Sequence, residues 1–315
     1  MTARSQAPAA LLFAGLALFP FAARLGAQDY LLALGARMLI LATAALSLDF
    51  VVGQGALISF GHAAYLGIGA YAVVLASMAG IDELLLQALI AVAVAAAFAA
   101  LTGYVSLRAS GVYYIMSTLA FGQMLYFLFV SLSALGGDDG YTLSSRSRLI
   151  GEPRLTSELP FYYFCLVVLA LAYVLLVRMA ASRFGRVLNA IRQNPLRARA
   201  LGFRPFPSQL AACAIAGAIA AIAGTLLANQ SEFVAPAFMS WQRSGELLVM
   251  TILGGVGSLW GAVLGAIAYL TLQEALSLLT DQTQLIIGPL LVIAAIFGRG
   301  GLAGALAAKT WGGVA

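Results

Sequence analysis

The chain has 315 residues, of which 62% are apolar and only 9% carry a charge, and its formal net charge is +5. A water-soluble domain carries about 25% charged residues, so this composition excludes a soluble globular protein and predicts an integral membrane protein. In a membrane protein an excess of basic residues marks the cytoplasmic loops, so the positive charge does not indicate a nucleic-acid partner.

Apolar runs along the chain predict about ten membrane-spanning helices, because a hydrocarbon core about 30 Å thick needs on the order of 20 apolar residues per helix. We therefore expect an all-α fold: a polytopic transmembrane helical bundle with broken, glycine-rich helices, forming a single domain over residues 1–315. The predicted spans are 8–27, 31–52, 62–80, 84–107, 112–133, 160–181, 209–229, 233–255, 258–278 and 284–298. The first span has an alternative, a cleaved signal peptide, since Arg4 precedes its apolar stretch.

The charged residues orient these spans across the membrane. Seven arginines and no acid occupy the segment from Arg178 to Arg204, which predicts a cytoplasmic loop under the positive-inside rule. The segment 138–158 contains four acids and lies one span away, so it is expected outside. Alternation of the spans then places both termini in the cytoplasm. Three arginines contradict the rule and are expected to snorkel to an interface, namely Arg24, Arg37 and Arg243.

Residue types that carry catalytic or cofactor chemistry are scarce. The only lysine is Lys309, which has no Walker-type glycine loop beside it, so the chain contains no P-loop for ATP. The only histidine is His62, which excludes a histidine-based metal cage. Three carboxylates lie near or within predicted spans (Asp49, Glu246 and Glu274), and they do not favour an ion-coupled carrier. The sequence therefore indicates a transport protein that is not an enzyme and holds no cofactor or metal.

A glycine-rich segment from Gly53 to Tyr71 contains five glycines with Gln54, Ser59 and His62 among them. Glycine disfavours a continuous helix, and irregular backbone at membrane depth is tolerated only where protein buries it or a wet cavity adjoins it. A break here would present a helix N-terminus that suits a carboxylate, although close helix packing through the glycines explains the pattern equally well. The residues assigned to a substrate pathway in this segment are Gly53, Gly55, Ser59, Gly61, His62 and Tyr65.

Polar residues on the fifth predicted span complete this pathway. Thr118 and Gln123 would cost free energy if they faced lipid, so they are expected to face the protein interior. Gly122 lies between them and is assigned to the pathway with them.

Glycines also recur at every fourth residue at Gly257, Gly261 and Gly265, which predicts one flat face for helix packing. The glycine-rich rhythm of 53–71 returns in 255–269 and indicates an internal repeat, as many transporters have.

The arginine-rich loop at 182–206 is far longer than a turn between two spans requires. Val187, Leu188 and Ile191 recur at helical spacing, which predicts one or two short amphipathic helices at the membrane face. Such helices could simply bind anionic lipid. The length and regular organisation of the loop instead favour docking of a cytoplasmic partner.

Together these segments resemble the permease subunits of branched-chain amino acid ABC importers, of the LivM type. Ser59 to Tyr71 matches the family's S-x-G-H-A-A-x-x-G-I-G-A-Y stretch, and Thr118 to Gly122 matches its T-L-A-F-G. Phe184 to Asn194 matches its F-G-R-x-x-x-A-I-R-x-N, and Leu253 to Ala266 matches its L-G-G-x-G-S-x-x-G-x-x-x-G-A.

Two positions depart from the family pattern. Gln123 stands where a glutamate is common, and Arg199 stands in a loop that usually reads A-E-A-L-G. Urea and small-amide permeases share several of the motifs.

The resemblance implies the membrane-spanning subunit of an ATP-driven importer in the bacterial inner membrane, with branched-chain or hydrophobic amino acids as cargo. Urea, an amide or another small solute is the alternative cargo, and a self-sufficient ion-coupled carrier is the alternative mechanism. The implied partners are a homologous second permease subunit, two cytoplasmic ATPase subunits that hold ATP and Mg²⁺, and a periplasmic substrate-binding protein. The loop would couple the ATPases to transport through Phe184, Gly185, Arg186, Ala190, Arg192, Asn194, Arg199 and Gly202.

Overall fold

The computed structural model describes residues 7–25, 29–149, 157–279, 282–283, 285–289 and 300–310. Helices dominate these ranges, and the all-α fold class is confirmed. In chain order the helices are α1 (Ala7–Leu25), α2 (Asp29–Asp49), α3 (His62–Met78), α4 (Leu84–Ser106), α5 (Val112–Ser131), α6 (Glu158–Ala181), α7 (Arg183–Gln193), α8 (Pro195–Ala200), α9 (Pro205–Ser231), α10 (Trp241–Gly254), α11 (Leu259–Ser277) and α12 (Gly301–Thr310).

Six helical segments within the described residues are long and apolar enough to cross a membrane, so the chain is a multi-pass membrane protein. They are 30–54, 84–106, 112–131, 158–181, 205–231 and 259–277. The prediction of ten spans is not confirmed. Two predicted spans, 8–27 and 62–80, contain shorter apolar helices, and 233–255 contains only the 14-residue α10. Most of the span at 284–298 lies outside the described residues.

The helix α2 lies at the centre of the bundle, where it packs against α6, α9, α10 and α11. Every residue from Leu39 to Gly53 is buried. The buried hydroxyls of Thr43 and Ser47 donate to carbonyls of their own helix at 2.9 and 2.7 Å, so their polar groups are satisfied without water. This burial on all sides explains why the part of α2 from Leu39 to Leu48 is apolar around its whole circumference and lacks an amphipathic stripe.

Helices α3 and α9 approach so closely that glycine is required where they cross. A Cβ atom on Gly69 would lie 2.0 Å from the carbonyl oxygen of Ala221, and one on Gly224 would lie 1.9 Å from that of Leu66. Small residues at a crossing allow backbones to touch, which strengthens dispersion contacts between helices that gain nothing from the hydrophobic effect in lipid. The α3–α9 pair is therefore a rigid unit, and α4 packs against both helices.

The bundle has two ends, which we name by their charges. The arginine end carries α7 and α8, and the C-terminus of α2 lies there because Arg192 bonds to Gly53. The acidic end carries the connection between α5 and α6. There the strand β1 (Tyr141–Thr142) pairs antiparallel with β2 (Phe233–Val234), so the C-terminus of α9 lies at the same end.

Candidate functional site

The chain breaks between α2 and α3, as the glycine-rich segment predicts. After α2 a π-helical turn covers Phe50–Gln54, irregular backbone follows, and α3 begins only at His62. Ala56 has a φ of 53°, which L-residues adopt at a cost, so this backbone is held by its surroundings. Because α3 has 17 residues, it is about 25 Å long and shorter than the hydrocarbon core.

A second break lies between α9 and α10, and it enters the bundle from the opposite end. Irregular backbone with a 3₁₀ turn at Pro236–Met239 separates the two helices, and α10 begins at Trp241. A Cβ atom on Gly67 would lie 2.0 Å from the side chain of Met239, so this turn packs tightly against α3.

The N-terminal turns of α3 and α10 meet inside the bundle. The backbone N–H of Ala63 donates to the Oγ of Ser244 at 3.0 Å, and both residues are buried. The first N–H groups of any helix lack an intrahelical partner, so Ser244 satisfies one that α3 would otherwise leave open. Two shortened helices of 17 and 14 residues that enter from opposite ends and meet at their N-termini form the arrangement that transporters use for a midplane site.

His62 is held in this region as a buried hydrogen-bonding group, with 2% of its surface exposed. Its Nε2 lies 2.8 Å from the Oγ of Ser47. The Ser47 hydroxyl already donates to the carbonyl of Ala44 at 2.7 Å, so it accepts the Nε2–H of His62. The Tyr65 ring packs perpendicular to the imidazole, with the ring centroids 5.4 Å apart. His62 therefore joins the start of α3 to α2.

Three residues assigned to the pathway meet where the first break touches α5. A Cβ atom on Gly61 would lie 2.3 Å from the carbonyl oxygen of Thr118, and Gly122 packs against Gly61 from the next turn of α5. The hydroxyl of Thr118 accepts the N–H of Phe60 at 3.2 Å. Along α5 the buried residues are Tyr114, Thr118 and Gly122, so a single narrow stripe attaches this helix to the bundle.

The other pathway residues lie in different surroundings. Ser59 is buried, and its Oγ accepts the N–H of Gly61 at 3.3 Å. The hydroxyl of Tyr65 instead lies 3.4 Å from that of Thr102, so this side chain packs towards α4 and away from α5. Gln123 is half-buried on α5.

At the arginine end, α7 contacts the first break, and the first break contacts the turn between α10 and α11. The guanidinium of Arg192 donates to the carbonyl oxygen of Gly53. A Cβ atom on Gly53 would lie 2.4 Å from the Cα of Gly257, and the N–H of Gly257 donates to Oδ1 of Asp49 at 2.7 Å. Asp49 is fully buried, and its Oδ2 has no hydrogen-bond partner among the described residues.

The role of Asp49 as the acceptor for Gly257 was missed at the level of sequence, where only its charge was considered. Ser244 and Ser47 were missed as well, because lone serines carry no pattern. The one available signal was the glycine-rich rhythm shared by 53–71 and 255–269, since Gly53 and Gly257 belong to those two segments and touch each other.

Of the three glycines expected to form a flat helix face, two lie on α11. Cβ atoms on Gly261 and Gly265 would lie 2.6 and 2.0 Å from the carbonyl oxygens of Gly254 and Met250, so both glycines allow α11 to contact α10 closely. Gly257 lies in the turn before α11 with a φ of 85°, and it packs against Gly53 instead. The helix begins too late to include it.

The loop at 182–206 contains two short helices, α7 and α8, as its hydrophobic spacing predicts. Leu188 and Ile191 are buried while Arg186 is exposed, so α7 is amphipathic and lies on the bundle. A Cβ atom on Gly185 would lie 2.2 Å from the carbonyl oxygen of Ala180, so only glycine allows the sharp entry from α6. The side chain of Asn194 caps α8 by accepting the N–H of Arg197 at 2.9 Å.

Four further residues assigned to coupling have these positions. Phe184 packs against the main core, and Ala190 is half-buried. Gly202, with a φ of 86°, forms the turn after α8, and Arg199 is exposed.

A cavity of about 380 Å³ lies at the arginine end beneath the first break. It separates the backbone of 55–58 from α8, from the start of α9 and from the connection between α4 and α5. Arg192 and Arg199 line it together with Gly55, Gly111 and Gln209. The cavity therefore separates the irregular segment from α8.

Comparison with known proteins identifies the family. Residues 30–295 match the family described as the branched-chain amino acid transport system / permease component. The high-affinity branched-chain amino acid transport system permease protein LivM of Salmonella typhimurium is 28% identical over 281 residues, which cover 82% of this chain and 66% of that protein. LivM of Escherichia coli is 28% identical over 280 residues, with the same coverage of 82% and 66%.

The autoinducer 2 import system permease protein LsrC of Photorhabdus laumondii is 32% identical over 119 residues, 36% of this chain and 34% of that protein. The match thus spans slightly less than two thirds of the length of the two LivM proteins. No solved structure matches the chain significantly. The resemblance to LivM-type permeases is confirmed, and the chain belongs to the family of permease components of branched-chain amino acid transport systems.

Proposed function

We propose that this chain is a membrane-spanning subunit of an ATP-driven importer for branched-chain or other hydrophobic amino acids, and that an ATPase subunit engages it at α7 and α8. The observation that carries the proposal is the hydrogen bond from Arg192 on α7 to Gly53 at the first break. It connects the most basic surface of the chain directly to its irregular transmembrane backbone.

The contacts support a sequence of movements. Closure of the ATPases displaces α7, and Arg192 carries that displacement to Gly53. Gly53 lies against Gly257, so the turn between α10 and α11 follows it. The segment that ends at Gly61 then shifts against Thr118, which moves α5 relative to the α3–α9 unit. Packed interfaces switch between discrete arrangements and do not deform continuously, so a small displacement at α7 opens or closes the pathway as a unit.

The arginine end would face the cytoplasm, where the positive-inside rule places basic loops and where ATP is available. The chain would form one permease domain in a bacterial inner membrane, with both termini in the cytoplasm.

The exposed face of α5 would pack against a homologous second permease subunit across a shared pathway, and a substrate-binding protein would deliver cargo at the acidic end. Two ATPase subunits would hold ATP and Mg²⁺, and this chain would hold no cofactor.

A self-sufficient ion-coupled carrier is less well supported. Each candidate carboxylate has a bonded partner, and Asp49, whose Oδ2 lacks one among the described residues, is fully buried. Asp49 accepts the N–H of Gly257 at 2.7 Å, Glu246 pairs with Arg243 at 2.6 Å, and Glu274 accepts the hydroxyl of Tyr30. A carboxylate that binds and releases a coupling ion needs open coordination positions. A urea or small-amide permease would share the same coupling geometry and differ only in cargo.

The test is uptake by proteoliposomes that contain the chain with its partner permease, ATPases and binding protein. We expect ATP-dependent accumulation of leucine, isoleucine or valine, and no accumulation from an ion gradient alone. Accumulation driven by a proton or sodium gradient without ATPase subunits would refute the importer. Uptake of urea in place of amino acids would keep the mechanism and change the cargo.

A further inference from the structure

Two arginines that contradict the positive-inside rule line a single cavity at the acidic end. Arg37 on α2 and Arg243 on α10 border a space of about 240 Å³, together with residues from α9 and the second break. Arg37 lies eight residues from the start of α2, about 12 Å along its axis. An ionised side chain within an apolar membrane-spanning segment is costly unless it reaches water or an opposite charge, so Arg37 is a candidate functional residue.

The two arginines differ in how their charge is balanced. Arg243 forms an ion pair with Glu246 at 2.6 Å, and both side chains are largely shielded, with 21% and 24% of their surface exposed. The described residues place no carboxylate within ion-pair distance of Arg37, which is exposed. The cavity is therefore lined by two arginines, of which Arg243 is neutralised by Glu246 and Arg37 keeps its positive charge.

The remaining walls combine polar and apolar groups. The amide nitrogen of Gln230 donates to the carbonyl of Ala33 at 3.2 Å, which fixes this side chain at the rim. The apolar wall is formed by Leu41, Leu227, Phe233 and Phe238. Small-molecule sites typically have this composition, with apolar walls and a few convergent polar groups that set the orientation of the ligand.

We propose that this cavity binds the carboxylate of a small amphipathic solute, with an aliphatic amino acid as the substrate class. The guanidinium of Arg37 receives the carboxylate, because its planar fork matches both oxygens. The aliphatic side chain lies against Phe233 and Phe238, which form part of the apolar wall. This inference rests on the proposed function and adds to it a first site for cargo on this chain at the end opposite α7.

The test uses the importer complex without its binding protein, in nanodiscs of neutral lipid, with radiolabelled leucine as the probe. We expect saturable leucine binding that leucinol, which has an alcohol in place of the carboxylate, does not displace. Arg37→Gln should weaken leucine binding by roughly tenfold or more, and Arg37→Lys should weaken it less, because lysine keeps the charge and loses the fork. The matched control is Arg148→Gln, an exposed arginine at the same end that does not line the cavity.

Three results would overturn the inference. The first is absence of leucine binding by the wild-type complex, the second is unchanged binding in Arg37→Gln, and the third is displacement by leucinol as effective as by leucine. A fourth result would also overturn it. If Arg37→Gln abolishes retention of phosphatidylglycerol and leaves leucine binding unaltered, the cavity binds a lipid phosphate. Complex assembly, followed by size-exclusion chromatography, must be the same for all variants.

The proposed function is tested separately by ATP-driven uptake with the binding protein added. If the wild-type importer accumulates amino acids but binds leucine independently of Arg37, only the cavity assignment fails. If it accumulates no amino acid, the proposed function fails, and the cavity assignment fails with it.

Discussion

The guanidinium of Arg192 donates a hydrogen bond to the backbone carbonyl of Gly53, which joins the amphipathic helix α7 to the π-helical turn after α2. Gly53 also touches Gly257, whose N–H is bound by Asp49. Any displacement of α7 therefore acts on the α2–α3 and α10–α11 connections together. A side chain bonded to a main-chain oxygen moves the backbone itself, and this hydrogen bond to Gly53 sets Arg192 apart from the nearby Arg197 and Arg199.

We expect Arg192→Gln to separate ATP hydrolysis from uptake. A hydrogen bond to a charged group contributes about 1.5–3 kcal/mol, so its loss should lower uptake by roughly ten- to hundredfold while hydrolysis continues. Both rates are measured in proteoliposomes. Arg197→Gln is the matched control, because the Arg197 side chain is exposed and its local hydrogen bonds are made by its backbone N–H and C=O. Equal uptake by the two variants would contradict coupling through Arg192. It would favour the alternative that α7 binds anionic lipid.

We expect Gly53→Ala to lower thermal stability, because its Cβ would lie 2.4 Å from the Cα of Gly257 and backbone must shift to make room. Overpacking of this kind costs about 1–3 kcal/mol. Gly15→Ala on α1 is the control, since nothing lies within 4 Å of its Cβ and alanine favours a helix. Thermal unfolding of the detergent-solubilised chain measures both. A Gly53→Ala protein as stable as the wild type would show that this contact is not tight.

We expect Ser244→Ala to loosen the start of α3, because the buried N–H of Ala63 loses its acceptor. An unsatisfied buried donor costs about 1–3 kcal/mol. Hydrogen exchange followed by mass spectrometry should report faster exchange in peptides that cover His62 to Tyr65, with α4 unchanged. Ser208→Ala is the control, since Ser208 is bonded to a carbonyl of its own helix turn at the arginine end. Identical exchange in both variants would contradict a junction of the two N-termini.

We expect Asp49→Asn to retain ATP-driven uptake, because the amide oxygen of asparagine can accept the N–H of Gly257 as Oδ1 does. Asp49→Leu removes that acceptor from a buried position and should lower both stability and uptake. Uptake by each variant is compared with its melting temperature. Loss of uptake in a stably folded Asp49→Asn protein would show that the charge itself is required, and would favour the ion-coupled carrier.

The candidate site could be predicted from the sequence where the signal is local. The break after α2 follows from five glycines in 53–71, and α7 follows from the spacing of Leu188 and Ile191. The pathway assignment of Tyr65 came from the same segment, but its hydroxyl lies against Thr102 of α4. A glycine-rich stretch predicts that a helix is interrupted, and it does not predict which side of the new helix faces the interruption.

The sequence by itself determined that the chain is a helical membrane protein and where its basic surface lies. These properties depend on composition and short-range order, because every backbone group in lipid must be bonded within its own helix. Only the tertiary structure decided that Ser244 caps α3 and that Arg37 and Arg243 share a cavity. Each of those pairs joins residues about 200 positions apart, and the packing of whole helices brings them together. No local pattern encodes that packing, since lipid-facing and helix-facing apolar residues look alike in the sequence.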